Sequence, residues 1–202
     1  MTRRDSKYPR VDKDRYETPS EAVAVLMPYL PPRLYLWEPA CASGKMVRAL
    51  AAAGHSVHCG DIASAGGGTD FLKVDTAPRG IQGIVTNPPY SLAREFVEHG
   101  IALMKPVDGF VAMLLPLDYG TAVSRRHLFR DCPIFALKIE MTWRIRWFEG
   151  TLGNPKENHC WCVWDHRHRG GPAIRYAGKP AANDDNRASI WREPYVPMEV
   201  MP

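Results

Sequence analysis

The residues best suited to chemistry are Asn87-Pro88-Pro89-Tyr90. A carboxamide oxygen accepts hydrogen bonds from an amino group, and Pro88, with no N–H to donate, still offers its carbonyl as a second acceptor. Pro89 restricts the residue before it, so the backbone here is stiff and extended. Tyr90 supplies a flat face for stacking. Two acceptors beside a stacking ring suit a planar substrate that carries an exocyclic amine, such as a nucleobase. The same four residues also suit a plain Pro-rich turn with a surface Tyr, so the elements around them decide.

Residues 83–86, Gly-Ile-Val-Thr, form a short apolar run that reads as a buried parallel strand, halted by the prolines. The carboxyl end of such a strand is where open α/β sheets place their ligand crevice. Upstream, residues 34–38 read as the first strand. They run into Pro39-Ala40-Cys41-Ala42-Ser43-Gly44, and a helix follows through Met46, Val47, Leu50 and Ala53. Strand, small-residue turn and helix make a nucleotide-type site, because small residues admit a ligand to the backbone and the helix start offers free N–H groups. It is not a phosphate-binding P-loop, since the Lys-Ser/Thr pair is missing. Residues 56–61 read as a second strand ending in Asp61, followed by Ile62; Asp61 lies 23 residues after Glu38, where an acid typically accepts hydrogen bonds from ribose. After a Gly-rich loop, Asp70-Phe71-Leu72 reads as a short third strand. Asp70 suits a heterocyclic amine and Phe71 suits packing on its ring; structural roles fit both equally well.

The flanking chain supplies the frame. Thr18 reads as a helix N-cap, with Pro19 at the first helical position and Glu21 completing a capping box. That helix buries Ala22, Val23, Leu26 and Leu30, is kinked or ended at Pro28, and stops at Pro31-Pro32. A helix over 91–104 buries Leu92, Phe96, Ile101 and Leu103 or Met104, and 110–115 is an apolar strand ending at Pro116. Residues 124–130 are basic with an aromatic inside, which suits both a phosphate-contacting surface and a solvated helix face. Residues 136–148 read as a strand, alternating from Trp143 to Phe148, with 159–164 returning beside it. Cys160 and Cys162 share a strand face without the spacing of a zinc site, so they read as packed thiols and no metal is expected. Residues 1–15 read as a basic flexible arm, either a solvated tail or a phosphate contact; 16–168 as one catalytic domain; 169–202 as an irregular tail.

Composition bounds the class. The 202 residues suit one domain with a full core. No apolar run approaches the roughly 18–20 residues that span a bilayer, the N-terminus lacks the apolar stretch of a signal peptide, and five cysteines without framework spacing point to reduced thiols. A cytoplasmic protein without a membrane partner is expected. The net charge of +4 permits a nucleic-acid partner without demanding one.

Taken together, residues 16–165 resemble the class I S-adenosylmethionine-dependent methyltransferases, in the amino-group branch that acts on DNA adenine. Glu38-Pro39-Ala40-Cys41-Ala42-Ser43-Gly44 resembles that family's cofactor loop, and Asn87-Pro88-Pro89-Tyr90 its catalytic motif. Tyr16 with Thr18-Pro19 resembles the segment that closes over the methionine end of the cofactor. Asp61-Ile62 and Asp70-Phe71 fall where the family binds the cofactor's ribose and adenine. One departure is Ala42, which stands where the family has the first Gly of the loop and bears on cofactor affinity. The motif order and length are similar to the compact, stand-alone enzymes of phages and prophages.

The resemblance implies a Rossmann-like α/β fold with seven strands, mostly parallel, the last antiparallel between its neighbours, and helices on both faces. It implies S-adenosyl-L-methionine as cofactor and DNA as partner. Its mechanism has adenine N6 bonded to the Asn87 side chain and the Pro88 carbonyl, which favours a pyramidal nitrogen whose lone pair attacks the methyl group in line. The base is flipped out at a cost of a few kcal/mol, stacks on Tyr90, and Trp147 or Phe148 covers its other face. Arg125, Arg126, Arg130, Arg144 and Arg146 are candidate phosphate contacts. RNA adenine and a protein glutamine amide present the same conjugated –NH2 and stay open as substrates, although the glutamine enzymes have a glycine-richer loop and an extra N-terminal helical domain. The cytosine branch tends to have Ser in place of Asn87. A catalytically inactive, nucleic-acid-binding version of the fold is the reading from another class.

Overall fold

A computed structural model describes residues 16–62, 68–147 and 155–180. The expected arm over 1–15, the stacking candidate Phe148 and the tail over 181–202 lie outside the described residues.

The core is a seven-stranded sheet built from β1 (Tyr35–Glu38), β2 (Ser56–Cys59), β3 (Gly83–Thr86), β4 (Phe110–Pro116), β5 (Phe135–Met141), β6 (His159–Asp165) and β7 (Ala173–Ala177). Their order across the sheet is β2-β1-β3-β4-β6-β5-β7. All neighbours run parallel except β6, which is antiparallel to both β4 and β5. The expected fold class therefore holds: a mostly parallel sheet with one antiparallel strand lying between its neighbours.

Helices cover both faces. α1 (Ser20–Ala24) and α2 (Lys45–Ala52) pack with Leu36, Val85, Ala112, Leu114 and Trp161 on one side. α3 (Ala93–Met104) packs with Ile84, Val111, Met113 and Trp164 on the other. Residues of β4 alternate between these two cores, which is why Phe110 to Leu115 are all buried and the strand reads as a continuous apolar run. Gly83 is required where it stands, because a Cβ there would overlap the Phe110 ring on the neighbouring strand.

The structure corrects several expectations. α1 starts at Ser20 with Pro19 as its N-cap and no side-chain capping bond, and Thr18 is instead buried beside the site. The expected break at Pro28 holds, since α1 ends at Ala24 and Pro28 sits in a separate 3-10 turn, Met27–Tyr29, being unable to continue the α-helical bonding. Residues 70–72 are not a strand: Asp70 caps a 3-10 turn, Phe71–Lys73, by accepting from the Leu72 N–H at 3.1 Å. The seventh strand is contributed at the opposite edge by β7, inside the segment expected to be irregular from 169, so the antiparallel strand is the sixth in chain order. Residues 142–147 leave the sheet after Met141, because β6 begins only at His159 and β7 ends at Ala177, which leaves no ladder partner beyond that point. Leu92 is 41% exposed, on the 3-10 turn Tyr90–Leu92 that precedes α3. Among the described residues, no helix is long and apolar enough to cross a membrane.

Candidate active site

β1 and β3 end side by side, and their last residues build one end of a cleft. Tyr16, Thr18, Glu38, Ala40, Cys41 and Asn87 are among the residues that line about 260 Å³ of empty space. The N-terminal segment thus meets the β1 loop and the Asn-Pro-Pro-Tyr turn, which the sequence places about 70 residues apart. Glu17, Lys45 and Met46 also line it. Only the helix start after the loop hinted at the last two.

Glu38 ends β1 and is 1% exposed. One carboxyl oxygen accepts from the Thr86 hydroxyl at 2.6 Å and the Ala40 N–H at 3.1 Å. The other is buried without a partner among the described residues. Burial pushes this carboxyl up to about 8, against the pull of the Thr86 and Ala40 bonds, and the Asp61 charge adds to the rise. Thr86, a polar residue in an apolar strand just before Asn87, holds the acid in place; the sequence reading missed it.

Asn87 donates its amide N–H to the Tyr16 carbonyl at 3.2 Å, and its side-chain oxygen is a buried acceptor without a partner among the described residues. Pro88 is buried behind it. Around the turn, aromatic rings assemble: Tyr90 lies 5.9 Å from His159, His159 5.1 Å from Trp147, and Trp147 5.5 Å from Tyr16. Burial holds His159 down at about 4, and a Glu157 backbone group nearby offsets part of that without reaching hydrogen-bond geometry.

The β1 loop is strained at one residue. Ala42 has φ 44, in the left-handed region where a Cβ is unfavourable, and Gly44 has φ 80 at the N-cap of α2. Asp61 holds the loop there by accepting from the Ala42 N–H at 2.8 Å. The Cys41 thiol is pushed up to about 12, first by burial and then by Cys59 beside it, so it stays protonated.

Other predicted site residues are placed elsewhere. Phe71 is 2% exposed and packs between Trp37 and Phe96, at 5.2 and 4.8 Å, so its ring belongs to the core. Asp70 bonds its own turn and pairs with Lys73 at 3.1 Å. Ile62 is 63% exposed just after Asp61. Arg125 is folded over the Tyr119 ring, 4.0 Å from its centroid, and donates to the Tyr119 carbonyl at 2.6 Å. Arg126 and Arg130 share Asp131, and Arg144 bonds the Asn158 side chain and the Pro155 carbonyl. Arg146 is exposed. Among the described residues, no cluster of His, Cys, Asp or Glu is arranged to hold a metal ion.

No protein-family model and no curated protein sequence matches the chain. Solved structures do. The methyltransferase subunit of a type I restriction-modification system from Streptococcus thermophilus matches with a TM-score of 0.56 at 12% identity, over 81% of this chain and 47% of that one. A Listeria monocytogenes protein described as a class I S-adenosylmethionine-dependent methyltransferase gives 0.54 at 11% identity, over 83% and 67%. The type IIG restriction endonuclease BpuSI gives 0.52 at 14% identity, over 81% and 27%. The chain spans less than half the length of the Streptococcus thermophilus subunit and of BpuSI. Similarity at this level of identity carries the architecture alone, and with the sheet order above it gives the conclusion: this chain shares the seven-stranded, Rossmann-like fold of these structures.

Proposed function

We propose that this protein transfers a methyl group from S-adenosyl-L-methionine to an exocyclic amine, the N6 of adenine in DNA. The observation that carries the reading is the state of Asn87. Its N–H is tied to the Tyr16 carbonyl, so its oxygen is oriented, buried and without a partner beside a rigid Pro-Pro backbone. A buried acceptor normally has a donor. An amino group entering here supplies it.

The cleft also fits the cofactor. Glu38 presents a second unpartnered buried oxygen, suited to an ammonium group, and the small residues Ala40, Cys41 and Ala42 leave the loop backbone approachable. Glu38, the β1 loop, Thr18 and Tyr16 would hold it, with Asp61 and Ile62 on the ribose side. When bound, S-adenosyl-L-methionine supplies the electrophilic methyl carbon. The chain's own residues do the rest. Asn87 and the Pro88 carbonyl hold the amine and favour its pyramidal, nucleophilic form, and Tyr90 offers the flipped base a stacking face. The protein's contribution is positioning and electrostatics. Restriction-modification proteins among the structural neighbours favour DNA over RNA or protein as the acceptor. Of the candidate phosphate contacts, Arg126, Arg130, Arg144 and Arg146 are exposed, whereas Arg125 is half-buried against the Tyr119 ring.

The test is transfer from labelled S-adenosylmethionine to unmethylated duplex DNA, RNA and bulk protein in parallel, with Asn87→Ala as control. The expected result is label in DNA recovered as N6-methyladenine, reduced at least about 100-fold in the variant while cofactor binding by calorimetry persists. Label in RNA or protein would change the substrate. No label together with no cofactor binding would refute the enzyme.

A further inference from the structure

His159 lies outside every role assigned above, and its environment is unusual. It is 1% exposed, and neither buried ring nitrogen reaches hydrogen-bond geometry with a partner among the described residues, although the Glu157 backbone lies near enough to act on its charge. A buried imidazole normally satisfies at least one of them. Its place in the sheet is specific. Because β6 alone runs antiparallel, its first residue lies at the carboxyl rim of the parallel strands, opposite Pro116 at the end of β4. Asn87 follows β3, the next strand, at the same rim. The His159 ring lies 5.9 Å from Tyr90, the ring proposed to stack on the base, with Trp147 5.1 Å away on its other side.

We propose that His159 reads the target base, donating its ring N–H to the lone-pair ring nitrogen that flanks the exocyclic amine. This rests on the reading of the site given above. Asn87 offers an acceptor and His159 a donor, so the pair matches an edge on which an amine stands beside a bare ring nitrogen. Guanine, with a carbonyl and a protonated ring nitrogen on the corresponding edge, presents the reverse pattern. Burial keeps the imidazole neutral at pH 7, so it carries one N–H and one lone pair and acts as a reader without serving as an acid. Sites built around a buried donor discriminate strongly against analogues lacking the acceptor, because the donor is left unpaired.

The experiment uses the full chain and duplex oligonucleotides that carry the target sequence located by the transfer assay. The target position holds adenine, 1-deazaadenine or 7-deazaadenine. For the wild type, kcat/KM should fall at least about 10-fold on the analogue that lacks the nitrogen being read. In His159→Phe, which keeps an aromatic ring in the wall, activity on adenine should fall to the level of that analogue and the discrimination should vanish. Its Tm should be unchanged or raised, since two unpaired nitrogens are removed, and its cofactor Kd should be unchanged. His159→Gln, which keeps an N–H donor, should recover part of the discrimination. The proposal is overturned if His159→Phe keeps the wild-type ratio between adenine and both analogues. It is equally overturned if activity on all three bases falls together with the Tm, which marks a structural role. If the wild type transfers nothing to adenine, the reading of the site fails first and this proposal fails with it.

Discussion

Replacing Glu38 with Gln probes the electrostatics that the cleft depends on. The Glu38 carboxyl titrates at about 8 rather than 4.5, chiefly because burial removes its charged form from water. A raised carboxyl pKa means the folded protein holds this proton more tightly than the unfolded chain does. The stability it contributes is therefore fully present below 4.5 and is lost as pH rises through 8. At about 1.36 kcal/mol per pH unit, the loss for the ligand-free protein is on the order of 4–5 kcal/mol across that window. Gln has the same shape, accepts the Thr86 and Ala40 bonds with its carbonyl, and does not titrate. Urea unfolding from about pH 5 to about pH 9 should show wild-type stability falling away from that of Glu38→Gln, with the gap levelling off above about 8. Cofactor binding should behave in the opposite sense. A cation against Glu38 favours the carboxylate, so the wild type should release a proton on binding near neutral pH. Calorimetry in two buffers of different ionisation enthalpy reads that proton directly. Glu38→Gln should release none and bind about 10- to 100-fold more weakly, the worth of about 1.5–3 kcal/mol for a charged hydrogen bond. Parallel stability curves for the two proteins across the whole range would refute the reasoning, because they would mean that Glu38 is already ionised when the cleft is empty.

Two further substitutions test the backbone frame. Ala42→Gly should stabilise the protein by about 0.5–1 kcal/mol in urea unfolding and leave cofactor binding equal or tighter, because φ 44 costs an L-residue more than it costs glycine; a loss of stability would show that the loop is not held in the left-handed conformation. Gly83→Ala should cost more than about 1–3 kcal/mol in the same assay, since the new methyl must displace the Phe110 ring in a packed core, and a neutral result would contradict the β3–β4 register.

The local chemistry was legible from the chain alone wherever residue type dictates backbone behaviour. Asn87-Pro88-Pro89-Tyr90 ends an apolar run, so a stiff acceptor-bearing turn at a strand end follows from proline sterics. The same holds for β1, β3, β4 and β6, whose continuous apolar runs require burial on both faces. Glu38 could be placed at a strand end because it closes such a run. The failures have a common cause. Residues 70–72 and 143–147 carry strand-like types, but strands exist only where a neighbour offers a ladder, and only the sheet order reveals that none does. β7 was invisible for the converse reason: a short edge strand with an exposed surface owes its conformation to pairing with β5 rather than to its own pattern. Phe71 shows the limit for side chains, since an aromatic residue next to a cofactor segment can face either the cleft or the core, and here Trp37 and Phe96 claim it. The sequence by itself determined which chemistry this protein could attempt, because carboxamide, acid and aromatic types at strand ends fix the available donors and acceptors. Only the tertiary structure decided that Tyr16 orients Asn87, that Glu38 is stripped of water, and that an antiparallel strand delivers His159 to the same rim, because each depends on packing between segments far apart in the chain.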